Sequence, residues 1–224
     1  AKKLGFKIVY DRSYPPTTTD FAPIMRAVQA ANPDIVFVAS YPPDTVGIVR
    51  SAHEIGLNTK MFGGTMIGLL ATPLKVQLGP LTNKLVIMES FVMAPTFNFP
   101  GLDALLAKYR DKAKGQQIDP FGYGFAPFGY AAGQILAKAV TETKGLDHDK
   151  IAKYIHANKF STVAGELAFG KDGEWAEPRT VFTQFQNVQP NDAAQFRDGK
   201  KQPILWPKKY KTGTMIYPYS EPKK

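Results

Sequence analysis

Ile35-Val36-Phe37-Val38-Ala39, then Tyr41-Pro42-Pro43-Asp44, then Lys60-Met61-Phe62-Gly63-Gly64 is the stretch that decides the fold. The first run is continuously apolar, which predicts a strand covered on both faces. Tyr41-Pro42-Pro43-Asp44 reads as a loop, and 45–55 as a helix stopped by Gly56. The second run predicts a short strand ending at the glycine pair. Strand, helix and strand at this spacing form a βαβ unit and therefore a parallel sheet.

The same alternation extends outward. Upstream, Phe6-Lys7-Ile8-Val9-Tyr10 reads as a strand and Ser13 to Thr19 as a loop. Asp20, or Thr19, caps a helix with Phe21, Ile24, Met25 and Val28 at helical spacing, stopped by Asn32-Pro33-Asp34. Downstream, a helix is predicted near 67–76 and a strand over 85–92. At Met93-Ala94-Pro95 the character changes to three helical stretches: 101–114, 125–143, and one capped by Asp147 that carries Ile151, Tyr154 and Ile155. Strands are predicted over 165–169 and 180–185, joined as a hairpin by Lys171-Asp172-Gly173-Glu174.

A chain of 224 residues with 44% hydrophobic and 21% charged residues is globular, and holds one large domain or two modest ones. Cysteine is absent, which excludes disulfide scaffolds and thiolate zinc sites. No stretch approaches the roughly 18 uncharged apolar residues of a membrane span. Ala1-Lys2-Lys3-Leu4-Gly5 contains no signal-peptide core. The net charge of +9 is concentrated in the tail, where 196–224 holds eight basic against two acidic residues. Interleaved with Trp206, Tyr210, Tyr217 and Tyr219, that tail reads as a solvated extension pinned by its aromatics. Nucleic-acid binding is the alternative, but no nucleic-acid motif accompanies the charge.

Enzyme signatures fail one by one. Gly122-Tyr123-Gly124-Phe125-Ala126-Pro127 begins like a dinucleotide fingerprint but has Pro127 in place of the third glycine. Gly63-Gly64 has no following Gly-Lys-Ser/Thr, and His53-Glu54 has Leu57 where a zincin helix needs histidine. His53, His148 and His156 are unrelated in spacing, and no paired acid–base group stands out. The residues point to a binding protein with no catalytic site, no metal and no cofactor.

One ordered series carries a resemblance over almost the whole chain. It runs from Ala1-Lys2-Lys3-Leu4-Gly5-Phe6-Lys7-Ile8-Val9-Tyr10 and Tyr14-Pro15-Pro16-Thr17-Thr18-Thr19-Asp20-Phe21 to Ala31-Asn32-Pro33-Asp34-Ile35-Val36-Phe37. It continues through Val49-Arg50-Ser51-Ala52-His53-Glu54-Ile55-Gly56-Leu57, Phe62-Gly63, Gly129-Tyr130-Ala131-Ala132-Gly133-Gln134-Ile135-Leu136 and Phe169-Gly170-Lys171-Asp172-Gly173-Glu174. The series resembles type I periplasmic solute-binding proteins of ABC importers, in the branched-chain amino acid receptor family. That resemblance implies an α/β architecture of two lobes with Rossmann-like parallel sheets, three crossings and a ligand between the lobes. Residues 1–93 would belong to the second lobe, 94–182 to the first, and 183–224 to the second again. It also implies that a signal peptide and much of the first lobe precede this chain, that the protein is periplasmic, and that a membrane permease is its partner. A ligand-sensing domain of a signalling or transcription-regulating system is the alternative of the same fold.

The resemblance carries over three positions. Tyr41 matches a ligand-contacting tyrosine of the second lobe, and Phe125 an aromatic residue near the ligand from the other lobe. Thr65 stands where amino-acid receptors of the family carry a glutamate for the ligand's ammonium group. Its neutral hydroxyl cannot balance that charge, so a small organic carboxylate, aromatic or other, competes with an amino acid as ligand. Met66 and Tyr123 join the candidate lining as sequence neighbours. Asp44 is the one local acid that can replace the glutamate, or it caps the following helix.

Overall fold

The computed structural model describes residues 2–220; the tail charges Glu221, Lys223 and Lys224 lie outside the described residues. The chain builds one compact unit up to Glu89, a second over Ser90–Thr180, and re-enters the first at Val181. The sequence-derived crossings stand a few residues later, at 93 and 182.

In the first unit α1 (Ala22–Ala30) leads to β1 (Ile35–Ser40), α2 (Pro42–Glu54), β2 (Met61–Met66), α3 (Thr72–Leu78) and β3 (Val86–Glu89). The second unit holds α4 (Leu102–Ala113), α5 (Ala126–Thr143), α6 (His148–Ala157), β4 (Phe160–Thr162) and β5 (Gly165–Leu167). The chain then returns through β6 (Val181–Gln184) and β7 (Ile204–Trp206). The first unit's sheet has the order β1-β2-β3-β6-β7, with β1, β2 and β3 parallel and β6 and β7 antiparallel. The second unit's strands are the antiparallel pair β4–β5.

Gly63 and Gly64 sit inside β2 rather than at its end. A Cβ on Gly63 would stand 1.8 Å from the Val86 carbonyl oxygen, and one on Gly64 2.3 Å from that of Val38. Only glycine lets the three parallel strands approach so closely. Pro42-Pro43-Asp44 is the first turn of α2 rather than a loop, because prolines at N1 and N2 give up only N–H groups that a helix start leaves unpaired. The expected helix over 67–76 divides into a 3-10 turn, Ile67–Leu70, and α3, which restarts at Thr72-Pro73.

Other expectations fail for want of a partner. Phe6-Lys7-Ile8-Val9-Tyr10 lies outside any strand, with Phe6, Ile8 and Val9 exposed. No neighbour among the described residues pairs its backbone groups. β1 forms, but Val36 and Ser40 are buried while Ile35 and Phe37 (60% exposed) face out, because α2 lies on the Ser40 side alone. The strand expected over 85–92 stops at Glu89, where its ladder with β6 ends. The Asp172-Gly173 turn closes on Phe169 and Trp175 and joins no hairpin of 165–169 with 180–185. β5 pairs instead with β4, which has no clear sequence signal.

The basic tail is pinned by its aromatics, as expected, and keeps Arg197, Lys200, Lys208, Lys209 and Lys211 exposed, but part of it also joins the sheet, which makes it a strap. β7 extends the sheet, Trp206 packs on Phe182 and Tyr219 packs edge-on against Phe62 at 5.3 Å. The Tyr219 and Ser220 N–H groups donate to Lys60 and Thr59.

Candidate functional site

Within the first unit the parallel register sets Ala39 beside Thr65 and Ser40 beside Met66, so the carboxyl ends of β1 and β2 finish level. Ligands of open α/β sheets bind beyond such ends. Tyr41 follows directly, in extended conformation at the N-cap of α2, with its side chain 68% exposed. The Thr45 N–H and hydroxyl both donate to the Tyr41 carbonyl, at 2.8 and 2.9 Å. With that hydroxyl proton committed, Ser40 must donate to Thr45 across their 2.8 Å contact. A Cβ on Gly68 would meet Thr45 Cβ at 2.8 Å and Pro42 Cα at 3.0 Å, so the 3-10 turn after β2 presses on the same corner. Tyr41 is thus presented from a braced backbone. Sequence reading missed Ser40, Thr45 and Gly68, although two hydroxyl residues flanking Tyr41-Pro42-Pro43 are a visible signal.

Asp44 does not cap α2 through its side chain. Its carboxylate accepts the Tyr14 hydroxyl at 3.1 Å, a contact 30 residues apart that has no local signature. Tyr14 also meets Phe21 edge-on at 5.3 Å. Burial first, and then the Asp44 carboxylate, push the Tyr14 hydroxyl up to about 12. The start of α2 is a poor anion cradle, since Pro42 and Pro43 have no N–H, Thr45 donates back to Tyr41, and an acid sits in the first turn.

Thr65 is half-buried on β2, whereas Met66 is enclosed in the core at 1% exposure. In the second unit Phe125 is 70% exposed at the N-cap of α5, and Tyr123 is buried. Tyr123 stacks on Phe121 at 5.3 Å with 19° between the rings, and Phe91 lies 6.1 Å away. The Asp119 carboxylate accepts the Phe121 and Gly122 N–H groups, holding the turn that precedes Phe125. Pro127, which spoils the dinucleotide fingerprint, is a buried residue of the first turn of α5. One sheet end therefore gathers Tyr41, Thr65 and Met66, and one turn of the other unit gathers Tyr123 and Phe125.

Two cavities of the described residues include none of these five. One, of about 290 Å³, lies at the amino ends of the strands and is lined by His53, Leu57, Leu81 and Tyr219. The other, of about 600 Å³, lies beside Asp172 and Trp175. The first groove stands at the amino ends of the strands, whereas ligands of open α/β sheets bind at the carboxyl ends. His53, His148 and His156 are all exposed on helices. Among the described residues no three His, Asp or Glu side chains are placed to hold a metal ion, and no helix is long and apolar enough to cross a membrane.

The profile of a family described as periplasmic binding protein matches residues 1–190. The chain is 28% identical over 175 residues to the Leu/Ile/Val-binding proteins of Citrobacter freundii and Escherichia coli, covering 77% of itself and 44% of each relative. It therefore spans about half the length of the curated relatives it matches. Among solved structures, a solute-binding protein from R. palustris in complex with 4-hydroxybenzoate aligns with a TM-score of 0.68 at 18% identity, over 85% of this chain and 51% of that one. A leucine-, isoleucine-, valine-, threonine- and alanine-binding protein from Brucella ovis, in its closed conformation, aligns at 0.65 and 18%, over 96% and 54%. These alignments show the shared fold.

Proposed function

The chain belongs to the periplasmic binding protein family, and on that basis we propose that the intact protein is a periplasmic receptor that delivers a small organic solute to the permease of an ABC importer. It acts by binding, without catalysis. Tyr41 and Phe125 contact the ligand and Thr65 offers its hydroxyl, while Met66 and Tyr123 support the site from the cores in which they are buried.

The observation that carries the ligand class is the uncharged end of β2 around Thr65. Residues 61–70 contain no acid and no base, and the one acid of residues 35–45, Asp44, stands on α2 with its carboxylate, still charged, accepting the Tyr14 hydroxyl. An ammonium group buried beside Thr65 would lack a counter-charge, at a cost of several kcal/mol. We infer an aromatic or other small carboxylate, with its charge met outside these segments. The complex of an R. palustris relative with 4-hydroxybenzoate, and that of another with benzoate, support this class; the Leu/Ile/Val-binding relatives support its competitor, an amino acid.

We also infer that the intact protein includes a further segment that covers the outward face of β1 and the exposed face of α5. Ile35 and Phe37 on the first, and Tyr130 and Leu136 on the second, are apolar and exposed. The test is a thermal-shift comparison of benzoate and 4-hydroxybenzoate with leucine, isoleucine and valine on the intact protein. Stabilisation by the aromatic acids is expected, and stabilisation by leucine alone overturns the ligand class.

A further inference from the structure

Three polar side chains meet in the core of the first unit, away from the strand ends. Lys75 on α3, Glu89 at the end of β3 and Gln202 in the loop before β7 are all buried. The Lys75 ammonium donates to Gln202 Oε1 at 3.0 Å and lies 5.6 and 5.7 Å from the centres of the Phe185 and Phe196 rings. Gln202 Nε2 donates to the Glu89 carboxylate, and to the Thr183 hydroxyl on β6 at 3.0 Å. The amide can take only this orientation, because a flip would set oxygen against carboxylate and N–H against ammonium. Gln202 therefore joins a buried cation to a buried anion as a directed bridge.

Its place in the chain gives it a consequence. Glu89 is the last residue before the chain enters the second unit, and it pairs in the ladder with Val181, the first residue on return. The bridge thus ties the roots of both crossing strands to α3 and to the loop before β7. A buried ion pair is a weak source of stability, since apolar residues of the same volume often do as well. Its advantage is direction: a charge has few acceptable neighbours, whereas an apolar contact slides.

We propose that Lys75, Gln202 and Glu89 are positioning residues that fix the direction in which β3 and β6 leave the sheet, and that ligand affinity depends on this bridge. The groups facing Glu89 are Lys75 from α3, Gln202 from the loop and Thr183 from β6. Burial pushes the Glu89 carboxyl up, against the pull of Lys75 and of the Gln202 bond. The carboxylate's charge therefore depends on its partner cation.

The inference rests on the receptor function proposed above, and the test separates the two. Glu89→Gln and Lys75→Met are compared with the pair Lys75→Met/Glu89→Leu in the intact protein, with calorimetric titration by whichever of 4-hydroxybenzoate, benzoate and leucine binds the parent most tightly. Titrations are run well below every variant's melting temperature. Each single variant, which breaks the bridge by leaving Lys75 without its anion or Glu89 without the cation that keeps it ionised, should bind about tenfold more weakly, and the double variant should recover to within about threefold of the parent. Single variants that melt earlier yet bind as the parent does would reduce the bridge to a structural element and overturn the proposal. If the parent binds none of the three acids, the receptor reading loses its support, and amide hydrogen exchange decides on the bridge alone. Exchange in Glu89→Gln that rises about tenfold at the ends of β3 and β6 but not in β1 supports it, and a uniform rise refutes it.

Discussion

Gln184 on β6 is fully buried, and all four hydrogen-bonding positions of its amide are used. Nε2 donates to the Lys84 carbonyl at 3.1 Å and the Ile216 carbonyl at 2.9 Å; Oε1 accepts the Ile216 N–H at 2.7 Å and Gln186 Nε2 at 2.8 Å. The side chain thus holds Ile216 by both backbone groups, as a neighbouring strand would, and fastens the strap to the sheet. Gln184→Leu keeps the volume and removes all four bonds. At about 0.5–1.5 kcal/mol net per bond the loss is about 2–6 kcal/mol. Ile216 is part-exposed and can rehydrate, which places the expected loss at about 2–4 kcal/mol. Urea unfolding of the intact protein measures it, and faster hydrogen exchange at the Ile216 amide localises it. Tyr219→Ala removes the ring on Phe62 at the far end of the same strap. If Gln184 acts by fastening the strap, the two losses must overlap, and the double variant must fall short of their sum by at least about 0.5 kcal/mol. Strict additivity, or a loss below about 0.5 kcal/mol for Gln184→Leu alone, refutes the reasoning.

Four further outcomes are expected. Tyr41→Ala should weaken binding of the preferred acid about tenfold, or about 1.4 kcal/mol, with an unchanged melting temperature because the ring is exposed; unchanged affinity by calorimetry removes Tyr41 from the site. Thr65→Glu should supply the missing counter-charge, raising affinity for leucine and lowering it for benzoate, and a fall for both would show that a glutamate is not accommodated there. The stabilisation from Tyr14 should be complete below pH 10 and fade as pH rises toward 12, because the unfolded chain ionises first. Absorbance titration should show several late-ionising tyrosines, because burial also raises Tyr109 and Tyr219; Tyr14→Phe should remove one of them and Asp44→Asn should lower that one part of the way, and a curve unchanged in Tyr14→Phe rejects the assignment. Residues 1–224 expressed alone should aggregate through the outward faces of β1 and α5, whereas light scattering from a cooperative, monodisperse monomer contradicts that.

Segments whose structure depends on themselves were legible in the sequence. The Asp147 side chain caps α6 by accepting the Lys150 N–H, and α1, α4 and α5 stand within a residue or so of where their apolar spacing puts them. Segments that need a partner were not. Phe6-Lys7-Ile8-Val9-Tyr10 has strand composition and no strand beside it among the described residues, while Ile204-Leu205-Trp206 is a strand because β6 is beside it. The candidate site divides along similar lines. The position of Tyr41 at the end of β1 was legible, because the apolar run that makes the strand ends just before it. Thr65 with Met66 was not, because successive strand residues point to opposite faces, so naming both commits one to the core. Tyr14 with Asp44 joins distant segments, and periodicity carries no information about such a meeting.

The strand ends combine a fixed backbone with uncharged groups, and the combination constrains what can bind there. Ser40, Thr45 and the Tyr41 carbonyl spend their hydrogen bonds on one another, so they brace the corner, and under the proposed function recognition there falls to the Tyr41 ring and the Thr65 hydroxyl. Two prolines remove donors that a helix start would otherwise offer to an anion, and the one acid of the corner, Asp44, has its carboxylate on the Tyr14 hydroxyl. A surface so arranged discriminates by shape, ring stacking and one or two neutral hydrogen bonds, and contributes little to balancing a charge. A charged ligand must then present its uncharged portion to β1 and β2 and its ionised group elsewhere. Benzoate-type acids have that polarity, with an apolar ring at one end and the carboxylate at the other, whereas an α-amino acid brings two charges to the same carbon.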